Sequence, residues 1–546
     1  MMRTFTGLAI VVLLSAGVFG QSASNSAAFD AADIHVRAHS SNATPFMTGG
    51  VLRAGRYDLR NATMLDLIRV AYNVMDTDTI LGGPSWLEMD RFDVIAKAPN
   101  ATPPETLRIM LQNLLSDRFK LALHTVTKPQ QGYALTVGSG GSKMTPAAGT
   151  GPSDCQPVPP GPPQPGVIPY IDVMCHNMTS TELAPLFRAF AGAYIGSPVA
   201  DMTGLKGGFD FELKWTNRAL LTQAGADGIS FFDAVDKQLG LKLTPQMVSL
   251  PVLMVDSVNQ KPTPNPSGVA DSLPSPPPAE FDLATVKLSM PGAMPQGRIQ
   301  PGGRIDLQGF TLHQLMSIAW DIPQNNNDLI ANAPKFFDDT RYNVLAVTST
   351  AVSGQGNQQQ IDIDDLRLML RALLTERFRI KLHTEDRPVS AYTLSASSKP
   401  KLTKADPASR TRWKEGGAKD TANDPRNTNP ILARLVTVQN MTMAQFAQTL
   451  RAIAPGYVTI DVNDETGLDG SFDFTFNFTP IGLLQQGQAG KGADQSAGAS
   501  AAASDPNGAM SLPEALDKQL GLKLDLRKRP VPVLVIDHIE EMPTDN

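Results

Sequence analysis

Acidic side chains at matched places are the residues of this chain best suited to chemistry. Asp93, Asp210 and Asp473 each follow a phenylalanine in an alternating stretch, and Asn343 takes that place in a fourth stretch. Two facing carboxylates can serve as acid and base, or as acid and nucleophile, in cleaving a glycosidic bond. Asp90, Asp93 and Asp338 are the acids from which a hydrolase of cell-wall or extracellular polymers would be built. Recurrence argues against that use. One active site seldom needs several copies of its acid, so the repeated carboxylates read as groups that the fold requires.

Other chemistries have less to draw on. The seven histidines are scattered. His35 and His39 would stand roughly 13 Å apart on a strand, too far to share an ion. His124 and His383 occupy equivalent strand ends and read as structural. No H-E-x-x-H, C-x-x-C, G-x-S-x-G, phosphate-binding loop or dinucleotide fingerprint is present, so no catalytic residue, metal or cofactor is assigned. Trp86, in Gly82-Gly83-Pro84-Ser85-Trp86-Leu87, could cap a ligand groove. Its counterpart Ala333-Pro334-Lys335-Phe336-Phe337 keeps an aromatic, which favours packing into a core. Trp86, Asp93 and Asp210 are the candidate ligand-groove residues.

The elements that must position these residues are announced by duplication. Asp236-Lys237-Gln238-Leu239-Gly240-Leu241-Lys242-Leu243 recurs letter for letter as Asp517-Lys518-Gln519-Leu520-Gly521-Leu522-Lys523-Leu524. Each copy predicts a helix end, a glycine C-cap and a strand, with Leu239 and Leu241 inward and Lys237 and Lys242 wet. Leu107 to His124 matches Leu366 to His383, and Cys175 to Leu213 matches Val438 to Phe476, in the same order. Each half is duplicated again within itself. Thr63 with Asp66, Thr179 with Glu182, Thr311 with Gln314 and Thr442 with Gln445 have capping-box spacing and predict helix starts. Asn61-Ala62-Thr63, Asn177-Met178-Thr179 and Asn440-Met441-Thr442 are formally glycosylation sequons, but their threonines are already explained as caps.

Bulky residues then alternate, as in Phe92, Val94 and Ala96 or Phe472, Phe474, Phe476 and Phe478, giving strands with one buried face. Each module is expected to close on a strand or pair of strands, such as 119–123 followed by 133–137. The fold class is therefore α+β. Two tandem homologous domains are expected, each of two β-α-β-α-β-β modules with helices on one face of a sheet.

At 546 residues and 42% apolar content, the chain is too long for one core. The first repeat domain is placed at 27–260, with modules at about 29–137 and 170–260. A Pro-rich linker at 261–278 reads as stiff and extended. The second repeat domain is placed at 279–546, with modules at about 281–397 and 431–543 and expected disorder at 481–511. Met1-Met2-Arg3 and the apolar run from Leu8 to Phe19 predict a signal peptide over 1–20, so the chain is expected to be exported, periplasmic or secreted, with no membrane span after signal removal. Cys155 and Cys175 are the only cysteines, and a disulfide closing a loop of about 20 residues is expected, contributing roughly 3 kcal/mol. A net charge of −6 excludes the broad basic face that nucleic-acid binding needs.

Longer motifs carry a resemblance. They are G-G-P-S-W-L-x-x-D-R-F-D-V-x-A-K-A from Gly82 to Ala98 and L-L-x-D-R-F-K-L-x-L-H from Leu114 to His124. D-x-T-G-L-x-G-x-F-D-F from Asp201 to Phe211 and the ending from Leu516 to Glu540 complete the set. Together they resemble an uncharacterised family of exported, soil-associated proteins expanded in Acidobacteria, over 29–260 and, with more drift, over 281–546. The resemblance implies no activity and carries over no catalytic residue. Some members of that family are joined to a membrane-bound sensor metallopeptidase, a region absent here. At module level the order of elements is similar to the small N-terminal modules of secretins and TonB-dependent receptors, which dock partners in the periplasm.

These observations lead to the expectation of a non-enzymatic envelope or secreted protein whose modules dock a protein partner or an extracellular ligand. The alternatives are the polymer hydrolase above and a sensory or regulatory domain working with a separate membrane peptidase.

Overall fold

The computed structural model describes residues 27–37, 47–74, 77–149, 151–159, 168–276, 279–290, 292–300, 302–324, 326–348, 352–353, 360–361, 363–415, 434–484 and 508–544. The expected signal peptide and most of the expected disordered stretch, 485–507, lie outside these residues.

In the first half, strands β1 (Ala31–Val36), β2 (Thr48–Arg53) and β3 (Arg56–Thr63) precede helix α1 (Met64–Ala71). Strands β4 (Ile80–Gly82) and β5 (Arg91–Lys97), helix α2 (Pro104–Phe119) and a long strand β6 (Ala122–Val137) follow. Next come β7 (Thr145–Pro146), β8 (Asp154–Pro157), β9 (Tyr170–Met178) and α3 (Ser180–Phe190). Then β10 (Val199–Asp201), β11 (Phe209–Thr216), the helical turn α4 (Leu221–Ala224) and α5 (Phe231–Leu239) lead into a second long strand, β12 (Leu241–Ser257).

The second half repeats this order after a turn at α6 (Val269–Ser272). It has β13 (Leu283–Leu288), β14 (Gln296–Gln300), β15 (Arg304–Thr311), α7 (Leu312–Trp320) and β16 (Ile330–Ala331). Helical turn α8 (Phe336–Asp339), β17 (Arg341–Val347), β18 (Val352–Ser353), β19 (Gln360–Ile361), α9 (Ile363–Arg377) and long strand β20 (Lys381–Ala396) come next. Its last module comprises β21 (Thr403–Lys404), β22 (Arg412–Glu415), β23 (Arg434–Thr442), α10 (Met443–Ile453), β24 (Asn463–Asp464) and β25 (Ser471–Phe478). Helix α11 (Leu512–Ala515) runs on as a π turn to Leu520 and enters β26 (Leu522–His538).

All four capping boxes form, each joining the threonine hydroxyl to the N–H three residues on. A cap of this kind is worth about 1 kcal/mol. Gly240 and Gly521 both end their helices at φ +67°, the left-handed turn that the repeated octapeptide predicts. The glutamine of each octapeptide has a role that its recurrence did not reveal. Gln238 pairs with the backbone N–H and carbonyl of Lys214 at 2.9 and 2.7 Å, and Gln519 does the same to Asn477 at 3.0 and 2.8 Å.

Each module has its own four-stranded sheet, in the orders β1-β5-β3-β2, β7-β11-β9-β8, β13-β17-β15-β14 and β21-β25-β23-β22. Helix residues such as Leu67, Ile68, Leu111 and Leu115 share a buried core with Phe92 and Val94 of the first sheet. Of the two closing strands expected at 119–123 and 133–137, Phe119 instead ends α2 and Lys120 caps it, while 122–123 and 133–137 lie along one strand. β6 runs unbroken for 16 residues and pairs antiparallel with the 17-residue β12, from Val137 opposite Leu241 to Ala122 opposite Ser257. This ribbon is about 50 Å long. Its two ends serve different cores: Leu253 and Val255 pack with the first module, Leu135, Leu241 and Leu243 with the second. β20 and β26 do the same in the second half. A strand of this length satisfies its backbone along the whole ribbon while each end buries apolar side chains in a separate layer, which local alternation alone cannot show.

The Pro-rich stretch read as a linker is laid against the first module. Asn265 accepts the Ile34 N–H at 3.0 Å and donates to the Ile34 carbonyl at 2.9 Å, while the buried Arg118 guanidinium holds the Thr263 carbonyl at 2.7 Å. Cys155 and Cys175 are bonded, directly opposite each other on β8 and β9. Among the described residues no helix is long and apolar enough to cross a membrane.

Candidate ligand-binding cleft

The repeated acids occupy one structural role. In each module the strand that enters the capped helix is bulged, and one bulge residue takes a left-handed conformation: Asn61 (φ 55°), Asn177 (φ 47°), Gly309 (φ 70°) and Asn440 (φ 49°). Asparagine and glycine are the residues that reach this conformation at least cost. A bulge leaves an N–H without a ladder partner. Asp93 accepts it from Asn61 at 2.7 Å, Asp210 from Asn177 at 2.8 Å and Asp473 from Asn440 at 2.7 Å. Asn343 does so for Gly309 at 2.9 Å with its amide oxygen. Both the recurring acid and the sequon asparagines are explained by this one turn.

The remaining candidates are dispersed. Asp93 also receives Arg37 at 3.1 Å. Asp90 accepts from Gln260 in the first half, and Asp338 faces His313 Nδ1 at 2.7 Å in the second. Trp86 is half-buried, edge-on to Phe92 with ring centroids 6.3 Å apart, against the core of the first module. Among the described residues no three His, Cys, Asp or Glu side chains are grouped to hold a metal ion.

The cleft lies elsewhere, at the junction of the two halves. It has a volume of about 820 Å³. Asp78 and Glu88 border it from the first module, Gln130 from the ribbon, Arg188 from α3, and Arg412 and Lys414 from β22. The halves are joined beside it. Arg410 donates to the carbonyls of Ile80 and Gly82 on the edge of β4, at 2.8 and 2.6 Å, and the Thr411 N–H donates to Ser85 at 3.0 Å. On another face, Asp365 at the start of α9 takes Arg53 at 2.7 Å and Arg60 at 3.3 Å.

One carboxylate organises the charges of the cleft. Asp78 is held by Arg188 at 2.6 Å, by Arg412 at 3.3 Å and by Lys414. Glu88 meets Arg410 at 3.5 Å and Arg412 at 3.8 Å. Burial pushes the Glu88 carboxyl above its ordinary range, and the two arginines only partly oppose this. Burial likewise lowers the Arg410 guanidinium.

None of these residues was singled out from sequence. The signal available was the alternation Arg410-Thr411-Arg412-Trp413-Lys414, which places cations on one face of an extended segment and an aromatic on the other. Trp413 packs against the core of the last module, as that pattern requires. Their partner Asp78 sits in a loop with no periodicity to mark it.

No curated protein and no solved structure matches the chain. A family profile does match it twice, at 65–258 and 313–539, and the two matches divide the chain as the duplicated ribbons do. With well over half of its length so covered, the chain belongs to the family described as a protein of unknown function (DUF3738), in two tandem copies.

Proposed function

We propose that this is an exported, non-enzymatic binding or scaffold protein of the cell envelope, periplasmic or secreted, whose tandem modules dock a protein partner or an extracellular ligand. The observation that carries this reading is the shared duty of Asp93, Asp210, Asp473 and Asn343, each committed to a bulge N–H. The residues with the best chemical credentials are spent on the fold. A cleft walled by several modules is also present, the usual setting for ligand recognition. The charged start and short apolar run at the N-terminus support export.

The test is retention on the immobilised full chain, using envelope extract and a panel of extracellular polymers. Saturable retention of a partner or polymer, with no turnover of any retained polymer, is the expected result. Cleavage of a retained polymer, or no saturable retention, would sink the proposal. Fusing residues 1–26 to a reporter tests export separately, and a reporter that stays in the cytoplasm would remove the localisation.

A further inference from the structure

We propose that the third module carries a second docking face of the kind β22 occupies on the first, and that it takes an extended cationic segment of a partner protein. This deepens the binding proposal and rests on its protein-docking reading. The template is inside the molecule. On the first module Arg410 holds the carbonyls of Ile80 and Gly82, the Thr411 N–H reaches Ser85, and Arg412 meets Asp78 and Glu88. The third module repeats that frame. Ile330 lies beside Leu534 of β26 as Ile80 lies beside Leu253 of β12. Asn332 turns left-handed at φ 58° where Gly82 does so at φ 70°. A short turn precedes each strand, Thr77–Thr79 or Asn327–Leu329, and a helical turn follows it, Ser85–Glu88 or Phe336–Asp339. Asp328 and Asp338 therefore stand where Asp78 and Glu88 do. The same register aims the carbonyls of Ile330 and Asn332 away from the ribbon.

The two faces differ in what covers them. The Glu88 side chain is 20% exposed beneath Arg410 and Arg412, whereas Asp338 is 59% exposed and faces His313. Asp328 and Asp339 are exposed too, and among the described residues no cation meets either one. Arg451, at the place in α10 that Arg188 holds in α3, turns to Asp461 at 3.8 Å and leaves Asp328 alone. Residues 327–340 hold three acids and one cation, Lys335. Edge carbonyls flanked by carboxylates suit arginine, whose planar fork donates to both kinds of acceptor, and an extended segment can add along such an edge. The chain's own unused edge strand does not fit. In β8, Asp154 and Gln156 stand where β22 has Arg412 and Lys414, so a second copy would bring an acid against Asp328 and Asp338. The occupant is a different protein that presents arginines at alternate positions. Asp339 replaces Met89, which packs against the core of the last module, so a further cation suits that end of the segment.

The probe is a synthetic peptide of residues Ser409–Glu415, titrated by fluorescence anisotropy into the full chain, whose own β22 already fills the first face. Saturable binding that weakens with added salt is expected. Asp328→Asn/Asp338→Asn is expected to weaken it by about tenfold or more at an unchanged melting temperature, since an asparagine oxygen still accepts from His313. Asp328→Asn alone, at a side chain with no described partner, should weaken it several-fold. Glu88→Gln, beneath β22, is expected to leave it unchanged, and a peptide with Arg410→Glu and Arg412→Glu is expected not to bind. Absence of binding, equal binding by the double variant, or loss of binding in Glu88→Gln, which would mean that the peptide invades the junction, would overturn the face. Dimerisation of the chain that the double variant abolishes would assign the face to a second copy and overturn the partner. If envelope extract still yields a saturable partner when the peptide fails, this face falls and the docking proposal stands. If the peptide binds and nothing is retained, the docking proposal falls instead.

Discussion

The edge strands β8 and β22 occupy the same place in the two halves and are put to different use. β8 is fixed to its neighbour by Cys155–Cys175, and its Asp154 and Gln156 are exposed. In β22 the equivalent pair is Trp413 opposite Val438, with packing in place of the covalent bond. The residues flanking that tryptophan, Arg412 and Lys414, reach across to Asp78 of the first half. Both halves have the strand, but its outward side chains form a wet edge in one and a wall of the cleft in the other. Modules conserve what the fold needs and diverge where they meet each other.

That contrast can be broken or sharpened at equivalent positions. The largest difference is expected at the octapeptide glycines. A Cβ at Gly240 would lie 2.1 Å from the Gly141 carbonyl oxygen, whereas at Gly521 the nearest atom is the movable Ser397 Oγ at 2.8 Å. Gly240→Ala should cost roughly 3 kcal/mol and Gly521→Ala about half that, measured by urea unfolding. Equal losses would mean that the two turns are not distinguished by their surroundings.

Next comes the clamp. Replacing both cysteines by serine should cost about 3 kcal/mol in the first half, and Trp413→Ala about 2 kcal/mol in the second, with the cleft perturbed only by the latter. Small-angle scattering that reports looser halves in the cysteine variant would contradict the assignment of β22, not β8, to the junction.

The bulge acids should behave alike in both halves. Asp93→Ala and Asp473→Ala should each cost about 1–2 kcal/mol, because a buried N–H loses its acceptor. Asp93→Asn should cost less than about 1 kcal/mol, since Asn343 already performs the task in the third module. Loss of ligand retention in Asp93→Asn with stability intact would return Asp93 to the list of site residues.

The smallest effect is electrostatic. The hydrogen bond that His383 Nδ1–H donates to the Asp537 carboxylate raises the imidazole above its usual value, helped by Glu385 3.5 Å away. A raised folded value favours the protonated histidine. The stabilisation is therefore complete below about pH 6.5 and fades as pH rises through the folded value. The first half has Val126 where the second has Glu385. The melting temperature of His383→Gln should fall below that of the wild type only on the acid side, by a small amount at this exposed site. A gap that widens with rising pH would contradict the pairing.

Local order was legible in the sequence because capping boxes, glycine caps and alternating aromatics act within a few residues. The four helix starts came from threonines, and the core faces came from Phe92, Val94 and their counterparts. The shared ribbon was not legible. Alternation in Leu121–Val137 is compatible with one strand or two, and only pairing with residues 241–257 decides between them. The recurrence of Asp93, Asp210 and Asp473 marked a fold role without disclosing the bulge N–H that each one accepts. The cleft was hidden for a different reason: Asp78 and Arg412 are 334 positions apart, and their meeting depends on how the halves pack.

The crossed ribbon also bears on synthesis. The first module is encoded early, yet Leu253 and Val255 of its core arrive only with the final strand of its domain. Until that strand has emerged, the earlier part of the chain has an open sheet edge along β6 and an incomplete apolar layer. Folding of each half therefore waits for its last segment, and the contacts that close it are long-range and slow to form. Such a chain spends its first moments as a substrate for chaperones, and truncation a few residues before Leu253 should leave two unfinished cores rather than one finished module.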